Sequence, residues 1–288
     1  MHKCFLILIT LSALFFKVDA QIIDAPNLDA FEIALKDVDQ TSLVLFDVDE
    51  TLVQPKDLIL RLGARESWDQ YAQETLHNPE VVHPEEFNEE YFLGQMLASI
   101  GFEVVDPKIV SIVQALQKQQ IPTIAFTKML TGSLGMIPSL EDWRLAHLKK
   151  HQLDFSSAFP QFPNLKLNVF EGCENSSSYK QGLLCANKQD KGPVLRAFLA
   201  QIAWTPVKVL MIDNRADYLN SVEESLQGSG INFIGFHYTA VEDNPCAINE
   251  SLAKFQLMHL AKTGIWLSDE EALKKMSSVE QPQPFETT

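Results

Sequence analysis

Two aspartates, Asp47 and Asp49, follow the apolar run 42–46 in the segment Phe46-Asp47-Val48-Asp49-Glu50-Thr51-Leu52. A carboxylate can attack an electrophilic centre, shuttle a proton or offer a hard oxygen to a cation, so a close pair on one turn can divide those roles. Three more polar groups stand in comparable places. Thr127-Lys128 follow a second apolar run, Asp213-Asn214-Arg215-Ala216-Asp217 follow a third, and Lys191-Gly192 stand just before a helical pattern. Hydroxyl and ammonium groups bind anions, and further carboxylates bind cations. A solvated acidic turn accounts for any one of these groups, but not for four in order.

The elements that must position them are legible as an alternation. Short runs at 42–46, 122–126, 207–212 and 231–236 have the composition of buried parallel strands. Amphipathic stretches at 107–119, 139–151, 193–202, 217–227 and 247–262 lie between and after them. The expected fold is α/β, a doubly wound (Rossmann-like) parallel sheet with right-handed crossovers. In such sheets ligands bind outside the carboxyl ends of the strands, where the polar groups lie. Two segments break the alternation. Residues 56–101 are polar, glutamate-rich and helix-prone, and predict an inserted helical cap. Residues 160–187 carry two apolar runs, 165–170 and 182–186, around a serine-rich turn, and predict a small β-hairpin insertion projecting from the sheet. The expected division is a signal peptide at 1–20, an α/β core at 21–55 and 102–276, a cap at 56–101 and a disordered tail at 277–288.

The strand followed by Asp-x-Asp-x-Thr, the strand ending in Thr127, the lysine and the strand ending in an acidic pair resemble, in this order, the motifs of the haloacid dehalogenase superfamily. The resemblance covers most of the chain after residue 20. It implies that Asp47 attacks phosphorus to form an aspartyl-phosphate, and that Asp49 protonates the leaving oxygen and then activates water. Thr127 and Lys191 would bind the phosphoryl group, with Lys188 and Lys128 as rivals for the lysine. Asp47, Asp49 through its backbone carbonyl, Asp213 and Asp217 would hold Mg²⁺, one of the last two through water. Superfamily dehalogenases lack the second aspartate and the transport ATPases carry threonine there, so Asp49 points to phosphate hydrolysis. Glu50 occupies a position that is often glycine, and the Asp-Glu-Thr form is similar to that of exported acid phosphatases. The two insertions fit an uncharacterised secreted bacterial branch better. The expectation is a secreted, magnesium-dependent phosphomonoesterase acting on a small organic phosphate. A phosphotransferase, or a binding or effector protein on the same scaffold, is the alternative.

The rest of the chain bounds these readings. With 23 basic and 38 acidic residues the formal charge is −15, which repels nucleic acid in the absence of a basic patch. Residues 1–20 have a basic start, an apolar run too short to span a bilayer, and Val18-Asp19-Ala20 before Gln21. That pattern predicts cleavage after Ala20, export to the periplasm or beyond, and no stable membrane insertion afterwards. Oligomeric state is not encoded in any pattern found. Of four cysteines, Cys4 leaves with the signal, and Cys173 and Cys185 are spaced to close a loop or to remain free thiols with Cys246. His77 and His83, and the aromatics Trp68, Tyr71, Tyr91 and Phe92, are expected to serve the surface and the small core of the 56–101 segment. Asn175 and Asn249 begin Asn-x-Ser sequences.

Overall fold

A computed structural model describes residues 21–78, 89–167, 169, 176–241 and 247–279. The predicted signal peptide, His83, Cys173, Asn175 and Cys246 lie outside the described residues. The strands are β1 (Gln21–Ala25), β2 (Ser42–Phe46), β3 (Val53–Pro55), β4 (Phe102–Val104), β5 (Thr123–Thr127), β6 (Asn164–Leu167), β7 (Ser177–Lys180), β8 (Leu183–Cys185), β9 (Lys208–Asp213) and β10 (Asn232–Tyr238). The helices are α1 (Asp29–Ala34), α2 (Arg65–Leu76), α3 (Glu89–Ser99), α4 (Lys108–Lys118), α5 (Leu140–Lys150), α6 (Lys191–Gln201), α7 (Ala216–Leu226), α8 (Glu250–Thr263) and α9 (Asp269–Val279).

Eight strands form one sheet in the order β1-β10-β9-β2-β5-β8-β7-β6, and β3 pairs with β4 in a separate antiparallel ribbon. The pairs from β1 to β8 are parallel, and β7 runs against both of its neighbours. Every residue of β2 and β5 is buried, as a parallel strand covered on both faces requires. Alternate side chains feed two cores. Val44, Phe46, Leu210 and Ile212 pack with α1, α4, α5 and α8, whereas Leu43, Leu45, Val209 and Met211 pack with α6 and α7. Phe46 meets Phe31 edge to face at 5.4 Å between ring centres. The protein is thus an α/β structure with a mostly parallel central sheet and helices on both faces, consistent with a Rossmann-like fold. Among the described residues no helix is long and apolar enough to cross a membrane.

Three local expectations change. The serine-rich stretch predicted as a turn contains β7, whose Ser177 and Ser178 are buried. Ser177 donates to the carbonyl of Ala186 at 2.9 Å and Ser178 to Glu141 at 2.9 Å, so their hydroxyls are satisfied and a polar segment enters the sheet. The strands at 164–185 therefore extend the main sheet rather than project from it, and the β7–β8 turn falls at Gln181-Gly182. The tail is helical to Val279 within α9, and 280–288 lie outside the described residues. At the other end β1 adds an edge strand beside β10 that no strong pattern announces.

Between β3 and β4 lie α2, α3 and two short 3-10 turns. Tyr71, Phe92 and Met96 from this segment join the same apolar cluster as Phe46 and Ile212. Trp68 approaches Phe92 at 6.4 Å and Trp266 at 6.1 Å. Trp68, Tyr71 and Phe92 thus belong to the main core on that face rather than to a small core of their own. His77 is on the surface, its Nδ1 against the carbonyl of Gln73, and Asn249 caps α8 by accepting from the Leu252 amide.

Candidate functional site

Strand order fixes where the site forms. From β2 the chain first moves toward β5 and β8, then returns on the other side to β9 and β10, so the direction of winding reverses beside β2. The register pairs Phe46 with Ile212 and with Ala125. Asp47, Asp213 and Thr127 consequently emerge from the same end of three adjacent strands. The amide of Asp47 still donates to Ile212 at 2.9 Å, which continues the ladder to the first aspartate of the pair.

Beyond Asp47 the chain turns sharply. Glu50 adopts a left-handed φ of +64°, its amide donates to Val53 at 2.8 Å, and Leu52 and Val53 both donate to the carbonyl of Val48. This conformation, favourable for glycine, explains why a glycine suits this position. Glu50 instead uses its side chain, accepting from the amide of Leu62 at 3.0 Å. Thr51 is buried and its hydroxyl accepts from the Asn214 amide at 3.2 Å, tying the loop after β2 to the loop after β9.

Lys191 opens α6 and is wholly buried. Its Nζ donates to Asp47 Oδ1 at 2.6 Å, to Asp213 Oδ2 at 2.7 Å and to the carbonyl of Phe126 at 2.8 Å. All three donor positions of the ammonium are thereby used. Gly192 makes this placement possible: its amide donates to Ser221, and a Cβ there would lie 2.0 Å from the Ser221 carbonyl oxygen on α7. Of the rival lysines, Lys188 is exposed, and Lys128 pairs with Asp190 at 3.3 Å.

Two buried carboxylates share one ammonium, so the cluster keeps an excess negative charge. Burial and then the charge of Asp213 push the Asp47 carboxyl up to about 7 against the pull of Lys191. Burial likewise raises Asp213. Burial works to lower Lys191, but Asp213 and Asp47 outweigh it and hold the ammonium charged. Burial also pushes Glu50 up to about 7.

Asp49 lies on the turn with its side chain half exposed. Its Oδ1 accepts from Arg144 Nη2 at 2.6 Å and its Oδ2 from Thr127 Oγ1 at 3.3 Å. Thr127 Oγ1 in turn accepts from the Met129 amide at 3.1 Å. A cleft of about 320 Å³ opens over Asp47, Asp49 and Thr127, and Arg61, Arg65, Lys128 and Arg215 stand around it. The ring of Tyr218 forms one wall, with Lys128, Lys191 and Arg215 each 4.9–5.2 Å from its centre.

Asp47, Asp49, Thr127, Lys191 and Asp213 are brought together. Asp217 is not. Its carboxylate is exposed and takes two bonds of 2.9 Å from Arg215 Nε and Nη2. Among the described residues no three carboxylates, histidines or cysteines converge as a ready-made metal centre. What remains is Asp47 and Asp213, two buried carboxylates that share the Lys191 ammonium, with the second Asp213 oxygen accepting from the Arg215 amide. Mg²⁺ is often held by one or two carboxylates and completed by water and substrate phosphate, so such an ion would draw on Asp47 and Asp213 and would not require Asp217.

Several participants carry no sequence signal. Arg144 sits in mid-helix among ordinary amphipathic spacing, and Arg61 and Arg65 lie in the segment after the loop that carries Asp47 and Asp49. Tyr218, by contrast, directly follows Asp217 and could have been flagged by position. Cys185 is buried on β8, where burial pushes its thiol well up.

Residues 26–273 match the family described as "Protein of unknown function (DUF2608)", and the chain belongs to that family. It is 31% identical over 140 residues to an "Uncharacterized protein" of Rickettsia felis (strain ATCC VR-1525 / URRWXCal2), covering 47% of this chain and 48% of that protein. It is 21% identical over 262 residues to "Uncharacterized protein RP296" of Rickettsia prowazekii (strain Madrid E), covering 90% and 92%. The chain thus aligns with about half the length of the first relative and nearly all of the second, and neither name states an activity.

Proposed function

We propose that this member of a family of unknown function is a magnesium-dependent phosphohydrolase of the haloacid dehalogenase type, exported after cleavage of residues 1–20. The observation that carries the reading is the cluster at the strand ends, where Lys191 Nζ bridges Asp47 and Asp213 at 2.6 and 2.7 Å beside Thr127 and Asp49. In this reading residues 56–101 are a cap inserted between the nucleophile loop and α4, and 160–187 a second insertion that widens the sheet. The substrate is a small organic phosphate, whose negative charge the basic side chains around the cleft favour despite the net charge of −15.

The chemistry follows from the side chains. An oxygen of Asp47 attacks phosphorus as the ester P–O bond breaks, and Asp49 gives its proton to the departing oxygen. Water then attacks the phosphoryl group and loses its proton to Asp49. The bond from phosphorus to Asp47 breaks, releasing inorganic phosphate and restoring both carboxyls. Thr127 stabilises the charge that gathers on the phosphoryl oxygens, while Lys191 offsets the charge on Asp47. Mg²⁺ held by Asp47, Asp213 and the Asp49 carbonyl would offset the repulsion between these carboxylates and the substrate; Asp217 could join only after leaving Arg215.

An aryl phosphate assay of residues 21–288 with Mg²⁺ tests the reading. Asp47→Asn is expected to abolish turnover, chelation to suppress it reversibly, and Asp49→Asn to lower kcat by about 10²–10⁴-fold. Turnover that survives Asp47→Asn, or that ignores chelation, refutes the proposal.

A further inference from the structure

Arg144 is the least expected charge in the protein. Its side chain is 5% exposed, on α5, and its Nη2 meets Asp49 Oδ1 at 2.6 Å. Its guanidinium lies 4.9 Å from the ring centre of Phe102 and 4.7 Å from that of Trp143. Among the described residues its buried Nε and Nη1 have no hydrogen-bond partner. A guanidinium taken out of water, with one carboxylate and two aromatic faces in return, is poor as a stabilising device, because an apolar side chain of similar volume would fill the space at lower cost. A buried cation with unsatisfied donors calls for another explanation.

We propose that Arg144 is a positioning residue that fixes the carboxylate of Asp49 for proton transfer at the phosphoryl group. The inference rests on the phosphohydrolase reading above and adds a residue to it from an element outside the four motifs. Asp49 lies on a turn with its side chain open to the cleft, and an unrestrained χ1 would sample several staggered wells. Arg144 holds one carboxylate oxygen and Thr127 the other, which leaves a single orientation.

The arginine is itself immobilised from two sides. Phe102 belongs to the β3–β4 ribbon, and β3 begins at Val53, the residue that accepts the Glu50 amide and closes the turn carrying Asp49. The same ribbon therefore sets the turn and one face of the guanidinium. On the other side α5 is fastened to the sheet by Glu141, which accepts from Ser178 on β7 and from the Gly132 amide, and by Asp142, which pairs with Lys180 at 2.6 Å. A misplacement of about 1 Å in a reacting group costs on the order of 10²-fold in rate, so this framework bears directly on turnover.

A double-mutant cycle tests the proposal. Arg144→Met and Arg144→Lys are made alone and combined with Asp49→Asn, and kcat and KM for an aryl phosphate are measured with Mg²⁺, with Asp47→Asn as the blank. Circular dichroism and thermal melting report the folded fraction, and if Arg144→Met does not fold, Arg144→Lys carries the cycle. The expected result is a fall in kcat of about 10²-fold for Arg144→Met with KM unchanged. Arg144→Lys should recover part of it, and neither substitution should cause further loss in the Asp49→Asn background. An equal loss with and without Asp49, a change confined to KM, or a loss that follows the unfolded fraction overturns the inference. These outcomes are separable from failure of the underlying reading. Wild-type turnover independent of Asp47 brings down the reading and the inference together, whereas Asp47-dependent turnover with additive Arg144 effects brings down the inference alone.

Discussion

Glu50 illustrates how a single residue can carry two opposed demands. Its backbone occupies the left-handed region at a cost of about 1 kcal/mol for a side chain of this kind, while its carboxylate anchors the amide of Leu62. Burial raises the carboxyl from its ordinary value of 4.5 to about 7. Between those values the folded chain binds a proton that the unfolded chain releases, so this group makes stability fall as pH rises through the interval. The loss is complete above the folded value. In metal-free buffer, Glu50→Gln should flatten the pH dependence of unfolding free energy, with a relative change on the order of 2–3 kcal/mol between about pH 4.5 and 8. Urea titrations across that range measure it, and parallel curves for the two proteins would refute the burial argument. Among the site residues, Asp47, Asp49, Thr127, Lys191 and Asp213 were legible because each follows a strand or opens a helix. Arg144 was not, since nothing in the local spacing of α5 reveals which residue faces a turn far away in sequence.

At the scale of elements, the junction of α6 and α7 governs whether Lys191 reaches its partners. Gly192 lets the two helices approach so closely that any Cβ would meet the Ser221 carbonyl at 2.0 Å and Ser225 Oγ at 2.3 Å. Gly192→Ala should therefore destabilise the fold by about 1–3 kcal/mol, as overpacking does, and should lower turnover through displacement of Lys191. Chemical denaturation and the aryl phosphate assay together check this; an alanine accepted at full stability would mean that α6 can slide without loss. The strands β2, β5, β9 and β10 were readable as short apolar runs because parallel strands bury both faces. β7 was not, because Ser177 and Ser178 look like turn residues until the carbonyl of Ala186 and the carboxylate of Glu141 satisfy them. An edge strand such as β1 also leaves a weak pattern, since only Ala25 at its end is buried.

For the molecule as a whole, one apolar cluster runs from Phe46 and Ile212 in the sheet through Leu257 on α8 to Tyr71 and Phe92 of the 56–101 segment. A segment that shares its core with the sheet is expected to unfold with it. Trp68 on α2 and Trp204 beyond α6 lie in the opposite cores, so fluorescence and circular dichroism should report coincident urea transitions. A separate early transition confined to Trp68 would show that the segment is an independent unit. The sequence by itself determined the class of the fold, the positions of its main strands along the chain and the identity of five side chains at strand ends and a helix start. These are local properties, because strand burial imprints a run of apolar residues and a strand end presents whatever follows it. Only the tertiary structure decided that Lys191 bridges Asp47 and Asp213, that Arg215 rather than a shared centre takes Asp217, and that Arg144 restrains Asp49. Each of those pairings joins residues set by strand register and helix packing, which depend on how distant segments meet rather than on what stands beside them in the chain.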